Sequence, residues 1–73
     1  MDNNGILSEM TVRIVYANST NEEREFINTA IRNIHARGTI ECLSRSWYVR
    51  EISRDDHSLF GVVYEIRMIE VKQ

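Results

Sequence analysis

The sequence has no proline, one cysteine, one lysine and three glycines among its 73 residues. The single thiol, Cys42, cannot form an internal disulfide, and its spacing from His35 and His57 fits no zinc site. This excludes a disulfide scaffold and a small zinc domain. Because a single core in so short a chain supplies only about 3 to 5 kcal/mol, we expect a partner chain to add stability.

Long apolar runs and a strong net charge are also missing. No run approaches the roughly 20 apolar residues of a membrane span, and the N-terminus has no basic start followed by an apolar stretch. We therefore expect a cytoplasmic protein that does not bind membranes. The net charge of -2 indicates neither a general polyanion binder nor a DNA mimic, while 42% apolar residues are typical of a folded globular domain.

Catalytic constellations are absent from the sequence as well. Asp55, Asp56 and His57 are adjacent, but a solvated polar turn explains them better than a metal or acid-base site. Cys42 falls on an expected core face, and the glycines form no phosphate-binding loop. We predict no catalytic residue, no metal and no cofactor, and hence that the protein is not an enzyme.

The first half of the chain predicts a strand followed by a helix. Residues 1–9 are expected to form a flexible N-terminal arm, and residues 10–73 a single α+β domain. Residues 10–17 are rich in β-branched side chains that alternate between two faces. Thr20 and Glu23 have the spacing of a capping box, apolar residues then recur at helical spacing, and Gly38 is a natural stop.

The second half predicts a hairpin. Residues 39–52 resemble one strand whose apolar phase is broken, which a bulge near residues 43–46 would reconcile. The polar residues 53–58 have the length of a hairpin loop, and residues 60–68 alternate regularly. The predicted fold is β-α-β-β, a three-stranded, mainly antiparallel sheet with one amphipathic helix packed on one face.

A single helix covers only one face of such a sheet, so the other face is the predicted functional surface. Arginine and aromatic residues, which are enriched at binding hot spots, fall on or beside this face. The predicted partner-binding residues are Arg13, Arg45, Trp47, Tyr48, Val49, Arg50 and Val63. Two alternatives remain open: a different strand register would bury Trp47 in the core, and the arm containing Ile6 and Leu7 would cover the face.

The helix segment EFINTAIRNI, which includes Asn28, and the strand segment LFGVVYEI resemble very small Firmicutes proteins known from sporulation and from phages. The resemblance spans residues 10–69 and involves an apolar pattern rather than a catalytic motif. That group has no settled biochemical role, so the resemblance implies a context: phage-encoded inhibitors of similar size act by occupying the surface of a host protein.

The leading hypothesis is a small protein-binding module that docks on a larger protein as an inhibitor or regulator and forms a homodimer. A first alternative is a single-stranded nucleic-acid binder in which the aromatic residues of segment 45–50 stack on bases and its arginines contact phosphates. A second alternative is a structural protein whose whole function is self-assembly.

Overall fold

A computed structural model of the chain describes residues 8–71 and contains one helix and four strands. Strand β1 (Glu9–Val15) leads through a short 3₁₀ helix (Tyr16–Asn18) into helix α1 (Asn21–Ala36). The remaining strands are β2 (Thr39–Cys42), β3 (Arg45–Ser58) and β4 (Gly61–Glu70). The predicted α+β class is confirmed. Most of the predicted N-terminal arm lies outside the described residues.

The four strands form one antiparallel sheet in the order β1-β4-β3-β2. The prediction of three strands was wrong because residues 39–52 contain a reversal rather than a bulge. Leu43 and Ser44 both have positive φ, at 55° and 61°, and form a two-residue turn that pairs Cys42 with Arg45. Two positive φ values characterise the type I′ turn, whose twist matches that of a hairpin. Since Asn and Gly normally occupy such turns, the sequence carried no warning of this one.

Helix α1 begins as predicted. The hydroxyl of Thr20 accepts a hydrogen bond from the backbone N–H of Glu23, and the Glu23 carboxylate accepts one from the N–H of Thr20, at 3.1 and 2.8 Å. The helix ends at Ala36, and the left-handed position after it is held by Arg37 rather than by Gly38. A Cβ at Gly38 would lie 2.7 Å from the side-chain oxygen of Asn33, so a larger residue there would require this amide to shift.

The core lies between helix α1 and the face of the sheet that the helix covers. Its buried members are Ile14, Ile27, Ala30, Ile40, Trp47, Ile66 and Met68. Trp47 was predicted on the opposite face, and the structure instead shows the alternative left open, in which a different register buries it in the core. The two-residue turn shifts the phase of β3, so Trp47 pairs with Ile40 and is only 3% exposed. Its indole N–H donates a 2.9 Å hydrogen bond to the carbonyl of Cys42.

The polar residues 53–58 belong to β3 and do not form the predicted loop. Pairing with β4 continues through Arg54 with Tyr64 and Asp55 with Val63, and the chain reverses only at Leu59 and Phe60. Gly61 follows with a φ of +88°, so the turn is closed by a residue in the left-handed region. Phe60, the first residue of the alternating segment 60–68 in the sequence, therefore lies in the turn and is 61% exposed.

Replacement of Trp47 by alanine should unfold the protein or destabilise it by about 3 to 5 kcal/mol, because it leaves a large cavity and an unsatisfied carbonyl. Urea denaturation followed by circular dichroism measures this change. The neighbouring Tyr48 is 47% exposed, so Tyr48→Ala is the matched control and should cost about 1 kcal/mol or less. Equal effects of the two substitutions would contradict the burial of Trp47.

Substitutions in the turn between β2 and β3 should increase the stability of the protein. Leu43→Asn combined with Ser44→Gly supplies residues suited to positive φ, and we expect a gain of about 1 kcal/mol in the free energy of unfolding. The control is Leu59→Asn with Phe60→Gly in the other hairpin turn, where neither φ is positive and no gain is expected. Thermal denaturation compares the pairs, and an unchanged midpoint for the first pair would refute the turn type.

Candidate protein-binding surface

The predicted partner-binding set does not form one surface. Trp47 lies in the core, Val49 packs against the core, and Val63 is buried on the other face of the sheet opposite Val15. Trp47 and Val63 are thus unable to contact a partner directly, and Val49 is only half-exposed. The outer face that was expected to be apolar instead carries two exposed ion pairs, Arg13–Glu65 at 3.6 Å and Arg67–Glu51 at 3.3 Å.

The other four predicted residues, Arg13, Arg45, Tyr48 and Arg50, are exposed but dispersed. Arg13 is on edge strand β1, and the interposed strand β4 separates it from Tyr48 and Arg50 on β3. Arg45 forms a 3.4 Å ion pair with Glu70 at the end of the sheet. Their separation leaves no continuous patch in which an aromatic and several arginines could act together.

Two adjacent exposed apolar side chains lie at the tip of the β3–β4 hairpin. Beyond the Val15–Val63 pair, only β3 and β4 continue, so the hairpin extends past the rest of the sheet. Leu59 is 98% exposed and Phe60 is 61% exposed. Leu59 therefore gains almost nothing from burial in the isolated chain, and Phe60 keeps more than half of its surface in water.

A groove of about 330 Å³ lies between this hairpin and helix α1. It is lined by Tyr16, Ile27, Asn28, Ile31, Arg54, Val62 and Tyr64, and we call it the hairpin groove. Ile31 and Tyr16 are among the exposed large apolar residues, and Val62 is half-buried. The groove thus continues the apolar character of the tip along the face on which the helix packs.

The aromatic wall of the groove is held by packing and by arginines. The rings of Tyr16 and Tyr64 are 6.1 Å apart and tilted by 51°. The Arg24 guanidinium lies 5.4 Å from the Tyr16 ring centre and also donates to the carbonyl of Ser19 at 3.1 Å. Arg54 lies 6.0 Å from the Tyr64 ring centre. These contacts orient the rings before any ligand arrives, which lowers the entropy cost of binding.

Polar groups next to the tip fix its conformation. The Phe60 N–H donates to the Ser58 hydroxyl at 2.9 Å, and the His57 N–H donates to the Asp55 carboxylate at the same distance. Asp56 forms a 2.9 Å ion pair with Arg54. The Asp55 carboxylate therefore stabilises the local backbone through the N–H of His57, and the Asp56 carboxylate forms an ion pair on the surface. Within residues 8–71, no group of three or more His, Cys, Asp or Glu side chains is arranged to hold a metal ion.

Comparisons of the chain with protein-family models, characterised proteins and solved structures find no match. The resemblance to small sporulation and phage proteins stays a prediction. In the described part of the chain, no helix is both long enough and apolar enough to cross a membrane. The candidate surface therefore depends on the geometry of the hairpin alone.

Sequence reasoning missed the tip because it extended the alternation of β4 back to Phe60. The signal was the order Ser58-Leu59-Phe60-Gly61, in which a glycine follows two residues between strand-like segments. A glycine in that place is typical of a type I turn closed by a left-handed residue. This pattern would have removed Leu59 and Phe60 from the strand.

Proposed function

We propose that the protein is a small non-enzymatic binding module that docks on a larger protein through the tip of the β3–β4 hairpin and the hairpin groove. It acts there as an inhibitor or regulator by occupying the surface of its partner. The supporting observation is the exposure of Leu59 and Phe60 side by side at the end of a projecting hairpin. Apolar and aromatic side chains that fill a partner's pocket contribute most of the binding energy in protein interfaces.

The charge around the tip favours a protein over a lipid surface. Asp55 and Asp56 precede the apolar pair on β3, and Arg54 forms an ion pair with only one of these two carboxylates. Anionic lipid headgroups would repel the remaining negative charge. A protein with an apolar cleft and a basic rim would be complementary to this tip, because the cleft takes the apolar pair and the rim faces the carboxylates. The nucleic-acid alternative for segment 45–50 loses one of its two aromatic residues because the ring of Trp47 is buried, which leaves Tyr48 alone to stack on a base.

The test replaces the two tip residues together, as Leu59→Ser with Phe60→Ser. We expect partner affinity to fall by about 100-fold or more, because each lost anchor costs about 2 kcal/mol in a typical hot spot. The midpoint of thermal unfolding should change little, since both side chains are exposed. The partner is captured from an extract of the source cells by a photoreactive phenylalanine at position 60, and affinities are then measured by titration calorimetry.

The matched control is Tyr48→Ser, which removes an exposed aromatic of β3 far from the tip. Tyr48 belongs to the surface predicted from the sequence, so the control compares the two surfaces directly. Loss of binding in Tyr48→Ser but not in the tip variant would show that the partner binds the sheet around Tyr48 and not the hairpin tip. Sedimentation of the wild-type chain with anionic vesicles, without a captured protein, would contradict a protein partner.

A further inference from the structure

Strand β1 is a long and regular sheet edge. It pairs with β4 over seven consecutive residues without a register shift, and it contains no proline. Natural edges are normally short, bulged or interrupted by proline or charged residues, and the two charges on β1, Glu9 and Arg13, have opposite signs. The opposite edge strand, β2, has only four residues. Beyond β2 the side of β3 that does not pair with β4 is also an edge, but the pairing of β3 with β4 has two register shifts. Within residues 8–71, β1 is therefore the edge best suited to accept another strand.

The hydrogen-bonding groups on this edge can be assigned from the pairing. The N–H of Glu70 donates to the carbonyl of Ser8, so Ser8 and Glu70 are a hydrogen-bonded pair. Along an antiparallel strand, successive residues direct their N–H and C=O groups to alternate sides. The even-numbered residues of β1 share the direction of Ser8, toward β4, so the odd-numbered residues direct these groups away from β4. These are Glu9, Thr11, Arg13 and Val15. An added strand must meet these four residues with its own outward-directed residues.

We propose that the occupant of this edge is a second copy of the chain, with the two β1 strands antiparallel about a twofold axis at Thr11. In this register Glu9 of each copy lies directly opposite Arg13 of the other, and the two Thr11 residues face each other. All three residues have outward-directed backbone groups. Two symmetric ion pairs and a threonine pair are among the favourable cross-strand combinations.

The neighbouring registers that satisfy the hydrogen-bond parity lack this complementarity. A twofold axis at Val12 places Arg13 opposite Thr11 and leaves Glu9 opposite Val15. An axis at Arg13 places the two arginines opposite each other, which is unfavourable. The charge pattern thus favours the register about Thr11 over those about Val12 and Arg13.

Apolar contacts accompany the ion pairs on the side of the sheet that faces the helix. In the proposed register Met10 of one copy lies opposite Val12 of the other. Leu43, which is 74% exposed, lines a pocket together with Glu9 and Met10 and so places a further apolar side chain beside this edge. The dimer would have a continuous eight-stranded sheet, and the antiparallel pairing directs the two hairpin tips to opposite ends. This interface does not depend on the function proposed for the tip.

The first experiment is a charge exchange, with the mass of the full chain measured by sedimentation over a concentration series. Arg13→Glu or Glu9→Arg alone creates two like-charge contacts and should weaken dimerisation by at least about tenfold. The combination of both substitutions restores opposite charges and should return the dissociation constant to within about threefold of the wild type. Since Arg13→Glu also places a carboxylate beside Glu65, thermal unfolding is recorded for each variant.

The second experiment fixes the register by disulfide crosslinking in a Cys42→Ser background. Thr11→Cys should form a covalent dimer under mild oxidation, because the Cα atoms of residue 11 in the two copies lie about 5.5 Å apart across the axis. Glu9→Cys is the control, since in this register the two cysteines are four residues out of alignment. Efficient crosslinking at position 9 but not at position 11 would overturn the register.

A wild-type chain that stays monomeric up to about 1 mM overturns the dimer itself. Equal dimerisation of the wild type and both single charge variants overturns the role of β1. The Leu59 and Phe60 variants should dimerise like the wild type, so failure of this proposal is distinguishable from failure of the function proposed for the hairpin tip.

Discussion

The burial of the Trp47 ring is the interaction on which the rest of the structure depends. It is the largest side chain of the core, and its position requires that β2 and β3 be separate strands joined by a two-residue turn. The hydrogen bond from its indole N–H to the Cys42 carbonyl satisfies a polar group that burial would otherwise penalise. The turn residues Leu43 and Ser44 occupy a backbone region that is unfavourable for them, so packing of the ring must offset this cost.

Helix α1 packs against this core and therefore does not cover the far end of the β3–β4 hairpin. The hairpin continues beyond β1 and beyond β2, and within residues 8–71 no further strand pairs beside its tip, where Leu59 and Phe60 are exposed. The helix contributes Ile31 to the groove beside it, and two tyrosines with two arginines form a preorganised wall. The same division of the sheet therefore produces a packed core at one end and exposed apolar side chains at the other.

The two proposed interfaces use different parts of the sheet and different physics. The tip offers apolar area to a cleft in another protein, where removal from water drives binding. Strand β1 offers backbone groups and a charge pattern, Glu9 and Arg13, that is complementary to itself about Thr11. A dimer with two opposed tips could engage two partner molecules at once, which raises the effective affinity without new contacts.

The sequence by itself determined the helix and the fold class. Helix α1 was predictable because the Thr20–Glu23 capping box and the apolar spacing are local, and they act within a few residues. The buried placement of Ile66 and Met68 followed from the regular alternation of β4. Only the tertiary structure decided the side on which Trp47 lies and where each hairpin reverses. A one-residue change of phase moves every side chain of a strand to the other face, and two turns with unusual residues set that phase.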